Sequence, residues 1–168
     1  MGDWADMESL SSYDKGKKDF EGRRYAKDIE AANDALDLFN KPINEYNRRQ
    51  QKNGKKQYKP RKVAIIGNHE DRISRAVQLN PELDGTIGLD DISFKEHGWE
   101  VVSYRNPIGI DGISYCHNFP SGVKGDAISG ANIAASLLAK HMASVTVGHI
   151  HTFDHATRCT PMGNRYHG

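Results

Sequence analysis

Asn68 and His69 follow Val63-Ala64-Ile65-Ile66-Gly67, so an apolar run breaks directly into an amide and an imidazole. The pattern returns twice. Ile113-Ser114-Tyr115-Cys116 runs into His117-Asn118, and Val145-Thr146-Val147 runs into Gly148-His149-Ile150-His151. Near the N-terminus, Gly2-Asp3-Trp4-Ala5-Asp6 sets an aspartate directly after a glycine. Asp3, Asn68, His117, His149 and His151 together offer oxygen and nitrogen donors and no thiolate. Such a set suits Mn²⁺, Fe, Zn²⁺ or Ni²⁺ rather than a cysteine-type structural zinc. Each piece is weak by itself. A lone histidine at a strand end is more often a hydrogen-bonded surface or core residue than a ligand, and a Gly-Asp pair is usually a turn. His149 and His151 are stronger, because a period of two puts both imidazoles on one side of an extended segment. The joint occurrence carries the argument, since ligands in layered α/β folds gather beyond the carboxyl ends of strands.

The elements that must position these residues are legible as periodicities. Lys62–Ile66 reads as a buried strand, followed by a helix over 71–79. Pro81–Gly88 is turn-rich, Asp90–His97 reads as a short helix, and Trp99–Tyr104 and Gly112–Cys116 read as strands. An Ala/Leu-rich helix over 128–140 precedes a strand over 144–147. Ala156–Cys159 is expected to pair near Arg165–His167 across Pro161–Asn164. Upstream, Tyr25, Ile29, Ala32, Leu36, Phe39, Ile43 and Tyr46 form one apolar stripe on a long charged helix. Pro42 is expected to kink that helix or split it in two. The stretch Asn47–Lys62, NRRQQKNGKKQYKPRK, reads as a basic polar linker, and a solvated helix end and loop is favoured over a nucleic-acid patch. Strands alternating with helices indicate an α/β layered domain.

With 168 residues the chain suits one domain with a core of its own. A net charge of +1 gives no general electrostatic case for a nucleic-acid partner and none against a local patch. No apolar run reaches membrane-spanning length, and MGDWADMESL does not resemble a signal peptide. Cys116 and Cys159 lie far apart and outside any CxxC pattern, which fits a reduced, cytoplasmic setting.

GDWAD, GNHE, a histidine after a strand, and GHIH, in that order, resemble the calcineurin-like metallophosphoesterase family, whose motif series is DxH, GDxxD, GNH(D/E), H, GHxH. The resemblance covers Gly2 to about His155, and in general flavour it extends to phage and prophage members. It implies a layered α/β/β/α sandwich in which the amphipathic helix is an insertion or enlarged crossover. It also implies a phosphoric ester hydrolase with two divalent transition-metal ions, Mn, Fe, Zn and Ni not being distinguished. A hydroxide bridging the metals would attack a phosphate mono- or diester.

By this resemblance Asp3 matches the aspartate that bridges both metals. Asn68, His117 and His149 match the remaining ligands of the second metal, and His151 a ligand of the first. His69 matches the histidine that assists the leaving group as general acid. Asp6 is expected to orient a histidine or the loop. Arg72 is a candidate phosphate contact, with a helix-surface arginine as the alternative. Asp71 reads as a helix N-terminal charge. His97, His141, His155 and His167 fall outside the motifs.

The chain also departs from the series. Only Met1 precedes Gly2, so DxH and the family's first strand have no counterpart. The reading is therefore of a single metallophosphoesterase-like domain over 1–168, incomplete at the N-terminus and, at NRYHG, at the C-terminus, or else of a degenerate member. One metal ion is then expected in this chain. Two alternatives stay open: a non-catalytic metal-binding or interaction domain that has lost the first site, and a nuclease acting on DNA or RNA through the basic linker. Which phosphoester is the substrate is not legible, and no membrane partner is implied.

Overall fold

In the computed structural model, residues 2–121 and 125–168 are described, and they divide into two bodies, each built from separated stretches of chain. One holds residues 3–64 and 68–101. The other holds residues 2, 65–67 and 102–168. The architecture is mixed helix and strand with small sheets.

The first body is organised by α1, Tyr25–Lys52. Its apolar stripe buries Ala32 and Leu36, but the next buried position is Asn40 and not Phe39. Asn40 is acceptable there because its amide is satisfied: Nδ2 donates to Leu36 O (2.7 Å), and Oδ1 accepts from Lys62 Nζ (2.9 Å). Phe39 turns aside to meet the rings of Trp4 and Trp99, each with centroids 5.7 Å away. Of the two outcomes expected at Pro42, a kink or a split, the split does not occur: the helix runs through the proline as one element. Pro42 and Leu38, whose carbonyl the proline leaves without its helical donor, both have exposed side chains, so water can reach that face. The helix also takes in Asn47–Lys52, the first six residues of the expected linker.

Strand β1, Val63–Ile65, is followed by α2, Asp71–Leu79, which buries Ile73. Asp71 opens α2 and lies 3.7 Å from Arg75 Nε. β1 pairs with β2, Glu100–Val102. The expected helix over 90–97 is absent beyond a single 3-10 turn, Leu89–Asp91. Tertiary bonds take its backbone and side chains. Asn33 accepts from Ser93 N (2.9 Å) and donates to Asp91 O (3.0 Å), while the Asp91 carboxylate accepts from Gly88 N and Tyr25 Oη. Burial and that carboxylate push the Tyr25 phenol well above its ordinary range.

In the second body, β3 (Ile108–Ile110) and β4 (Ile113–Cys116) form an antiparallel hairpin. β3 was not expected, although Asp111-Gly112 is the signal for it: both residues sit at positive φ, 50° and 80°, as a type I′ turn requires. Short strands β5 (Pro120–Ser121) and β6 (Asp126–Ala127) pair antiparallel. Ile128 N donates to Phe119 O (3.3 Å), which holds the chain beside that pair. Helix α3 therefore begins later than its composition suggests and spans Ile133–His141. Strand β7, Ser144–Val147, then runs parallel to β4, giving the order β3-β4-β7. β8 (Thr157–Cys159) and β9 (Arg165–His167) form the expected terminal hairpin. Cys116, Phe119, Ile128, Ile133, Leu137, Leu138 and Val145 make the core, with Tyr166 packed against it.

Both cysteines are free thiols, and burial pushes that of Cys116 up. Among the described residues, no helix is long and apolar enough to cross a membrane.

Candidate functional site

In the second body the parallel pairing of β4 with β7 sets the geometry. The register Cys116↔Val147 ends both strands together, so the residues that follow leave the sheet at one edge. His117 O accepts from both Gly148 N (3.3 Å) and His149 N (3.0 Å), which extends the ladder just beyond the strands. The two side chains meet: His149 Nδ1 lies 3.3 Å from His117 Nε2, and the rings stand edge to face with centroids 5.2 Å apart. His117 is 4% exposed. Its other nitrogen faces the main chain of Gly2, where a Cβ would stand only 2.5 Å from His117 Nδ1 and 2.8 Å from Ile65 O. Only glycine admits that approach. The residue bonded to Gly2 is Asp3, and the residue bonded to Gly67 of the same body is Asn68.

His151 stands apart from the histidine pair. Strand β7 ends at Val147, and the chain bends at His149 and again at His151, which is exposed. The period of two that would have aligned the imidazoles holds only in extended backbone.

In the first body the GDWAD loop is tied to the GNHEDR turn. Asp3, at φ 50°, accepts from His69 N through Oδ1 (3.3 Å). Glu70 is 1% exposed, and its Oε1 accepts from Ala5 N (2.9 Å) and from Trp4 N. Asp6 Oδ1 meets His69 Nδ1. Arg72 Nη1 donates to Asp6 O (2.7 Å) and Met7 O (3.3 Å), and lies 3.6 Å from the Asp6 carboxylate. Arg72 was a candidate for substrate contact; the structure gives this guanidinium a loop to hold. Glu70 has the same duty, and sequence reasoning assigned it nothing. The available signal was a carboxylate directly ahead of a helix beside buried positions, but its partners lie more than 60 residues away in the chain.

The histidines outside the motifs have structural surroundings. His97 Nε2 lies 3.4 Å from Asp37, His141 packs on the Phe119 ring with centroids 4.7 Å apart, and His155 stacks on His167. A cavity of about 310 Å³ lies between α3 and β7, with an apolar lining that includes Leu137, Val145, Ile150 and Phe153. Neither His117 nor His149 borders it. A smaller cleft of about 130 Å³ is bordered by Gly2, Tyr115, His117, Thr146 and Gly148. Of the two histidines, His117 borders the smaller space.

Comparison with known protein families, with characterised proteins and with solved structures finds no match to this chain.

Proposed function

We propose that this chain is a metal-dependent phosphoesterase of the calcineurin-like type, with a layered sandwich fold, in which Asp3, Asn68, His117 and His149 hold a divalent transition-metal ion. The observation that carries the reading is the histidine pair. Two parallel strands end in register, and each delivers an imidazole nitrogen to within 3.3 Å of the other. With both nitrogens deprotonated the pair is a two-nitrogen donor set of borderline softness, which fits Mn²⁺, Fe, Zn²⁺ or Ni²⁺. Asp3 and Asn68 enter the set through the motif series.

When bound, divalent ions supply Lewis acidity that activates water and neutralises charge on a phosphoryl group. The chain's own residues prepare the rest. Asp6, beside His69 Nδ1, fixes the tautomer and tilt of that ring and leaves Nε2 for proton transfer to a departing oxygen. Glu70 and Arg72 hold the loop that carries Asp3 and Asp6, so the carboxylates and His69 keep one arrangement.

The test is metal content together with hydrolysis of an aryl phosphate monoester and diester. The double substitution His117→Ala/His149→Ala is expected to abolish tight transition-metal binding and turnover together. Unchanged metal stoichiometry in that variant removes the assignment. Metal binding without hydrolysis of either ester reduces the reading to a metal-binding domain.

A further inference from the structure

Eight lysines and arginines fall within Arg48–Lys62, a stretch with no aspartate or glutamate, in a chain whose net charge is only +1. The rest of the molecule is therefore net acidic, and positive charge is concentrated in this segment. Two of the eight have internal duties. Arg61 donates to Glu100 through Nε (3.0 Å) and Nη2 (2.8 Å), and Lys62 bonds to Asn40 and sits over the Trp99 ring. Arg48, Arg49, Lys52, Lys55, Lys56 and Lys59 are exposed, and none forms a salt bridge among the described residues. The helix dipole accounts for Arg49 and Lys52 in the last turn of α1, but its effect fades within that turn and leaves Lys55, Lys56 and Lys59 unexplained.

The segment is built and not trailing. α1 carries the first three cations to its C-terminus, and the chain turns at Asn53–Gly54. Lys55 N donates to Gln50 O (2.8 Å). Asn47 then clips the returning segment at both backbone groups of Tyr58: Nδ2 donates to Tyr58 O and Oδ1 accepts from Tyr58 N, each at 2.7 Å. The clip holds the 53–59 loop against the last turns of α1. Beside Gln51 of the last helical turn the loop forms a shallow groove of about 730 Å³, lined by Gln51, Lys55, Lys56, Gln57, Tyr58 and Lys59. Tyr58 is 58% exposed in that groove. An aromatic face, amides and uncompensated cations are the chemistry that tracks a phosphate backbone while stacking an unpaired base. A membrane surface would ask for aliphatic side chains among the cations, and this groove has none.

We propose that the end of α1 and the 53–59 loop form a binding surface for single-stranded nucleic acid, with phosphates on Lys55, Lys56 and Lys59 and a base on Tyr58. The surface is independent of the metal reading, so it is tested in chelator-containing buffer by fluorescence anisotropy with a labelled mixed-sequence single-stranded DNA of 15 nucleotides. Three phosphate contacts predict a log–log salt slope of about −2, falling by ~0.7 for each of these cations replaced by glutamine. Tyr58→Ala is expected to weaken binding about tenfold while leaving that slope unchanged. Circular dichroism melts of the variants, matching wild type, show that the fold is retained. Binding indifferent to the glutamine replacements overturns the proposal. So does equal affinity for duplex DNA or anionic vesicles, or a Tyr58→Ala variant that binds as wild type does.

Discussion

Glu70 illustrates how one buried side chain can decide whether a loop has a shape. Its carboxylate is almost wholly out of water, a costly position unless donors replace the lost solvent. Trp4 N and Ala5 N are such donors, and in turn the main chain of the GDWAD loop gains an anchor. Glu70→Ala strands both amides, and the expected loss is about 2–3 kcal/mol, read from urea unfolding. A loss below ~0.5 kcal/mol would mean that the loop is held by Arg72 alone. His69 has the opposite profile. It is half-buried, and its Nδ1 is taken by Asp6. His69→Asn is expected to keep metal content near wild type and lower turnover by ~10²–10⁴, less for esters with good leaving groups. Loss of metal on this substitution would instead make His69 a ligand.

Helices test how far local sequence commits the chain. α1 runs through Pro42 although the ring removes one backbone donor and crowds the preceding turn. Pro42→Ala is expected to stabilise the chain by about 1–2 kcal/mol. The gain in helix propensity outweighs the unfolded-state stiffness that proline supplied. Thermal unfolding followed at 222 nm reads the result, and a lower melting temperature would show that the proline is needed at this position. At the end of α3, His141 lies against Phe119 with its Nε2 buried and, among the described residues, without a hydrogen-bond partner. Burial, assisted by neighbouring Lys140, holds its proton affinity below the ordinary value. For a base with a lowered folded pKa, the unfolded chain binds the proton more readily. Stability from this site is therefore full above the unfolded value of about 6.5 and is lost as pH falls through it towards the folded value. Unfolding free energies measured from pH 8 to pH 5 should fall in wild type and fall less in His141→Gln. Parallel curves would place the pH dependence elsewhere.

Across the whole molecule, what the sequence disclosed follows the reach of the interactions. The bounds of α2 and of β7 were readable because their apolar patterns are local. So was the placement of His117 directly after β4 and of Gly148-His149 directly after β7. The segment 90–97 was misread because Asn33 and Tyr25, some 60 residues upstream, claim its polar groups. The clamp made by Glu70 and Arg72 was invisible for the same reason, and the bend that sets His151 apart is set by where β7 stops. Each body is assembled from separated stretches of chain, so its decisive contacts lie outside any sequence window. A ligand that binds only the folded chain senses that assembly directly. It stabilises by RT ln(1 + [L]/Kd), about 2.7 kcal/mol at a free concentration of 100 Kd. For a chain of this size, such a gain raises the melting temperature by roughly 5–10 °C. Mn²⁺ or Zn²⁺ should produce that rise in wild type, and Mg²⁺ much less, because imidazole donors suit borderline cations better than hard ones. In His117→Ala/His149→Ala the rise should vanish while the melt without metal stays cooperative. An equal rise in the double variant would place the ion at other residues, and no rise in either protein would leave the histidine pair with a purely structural role.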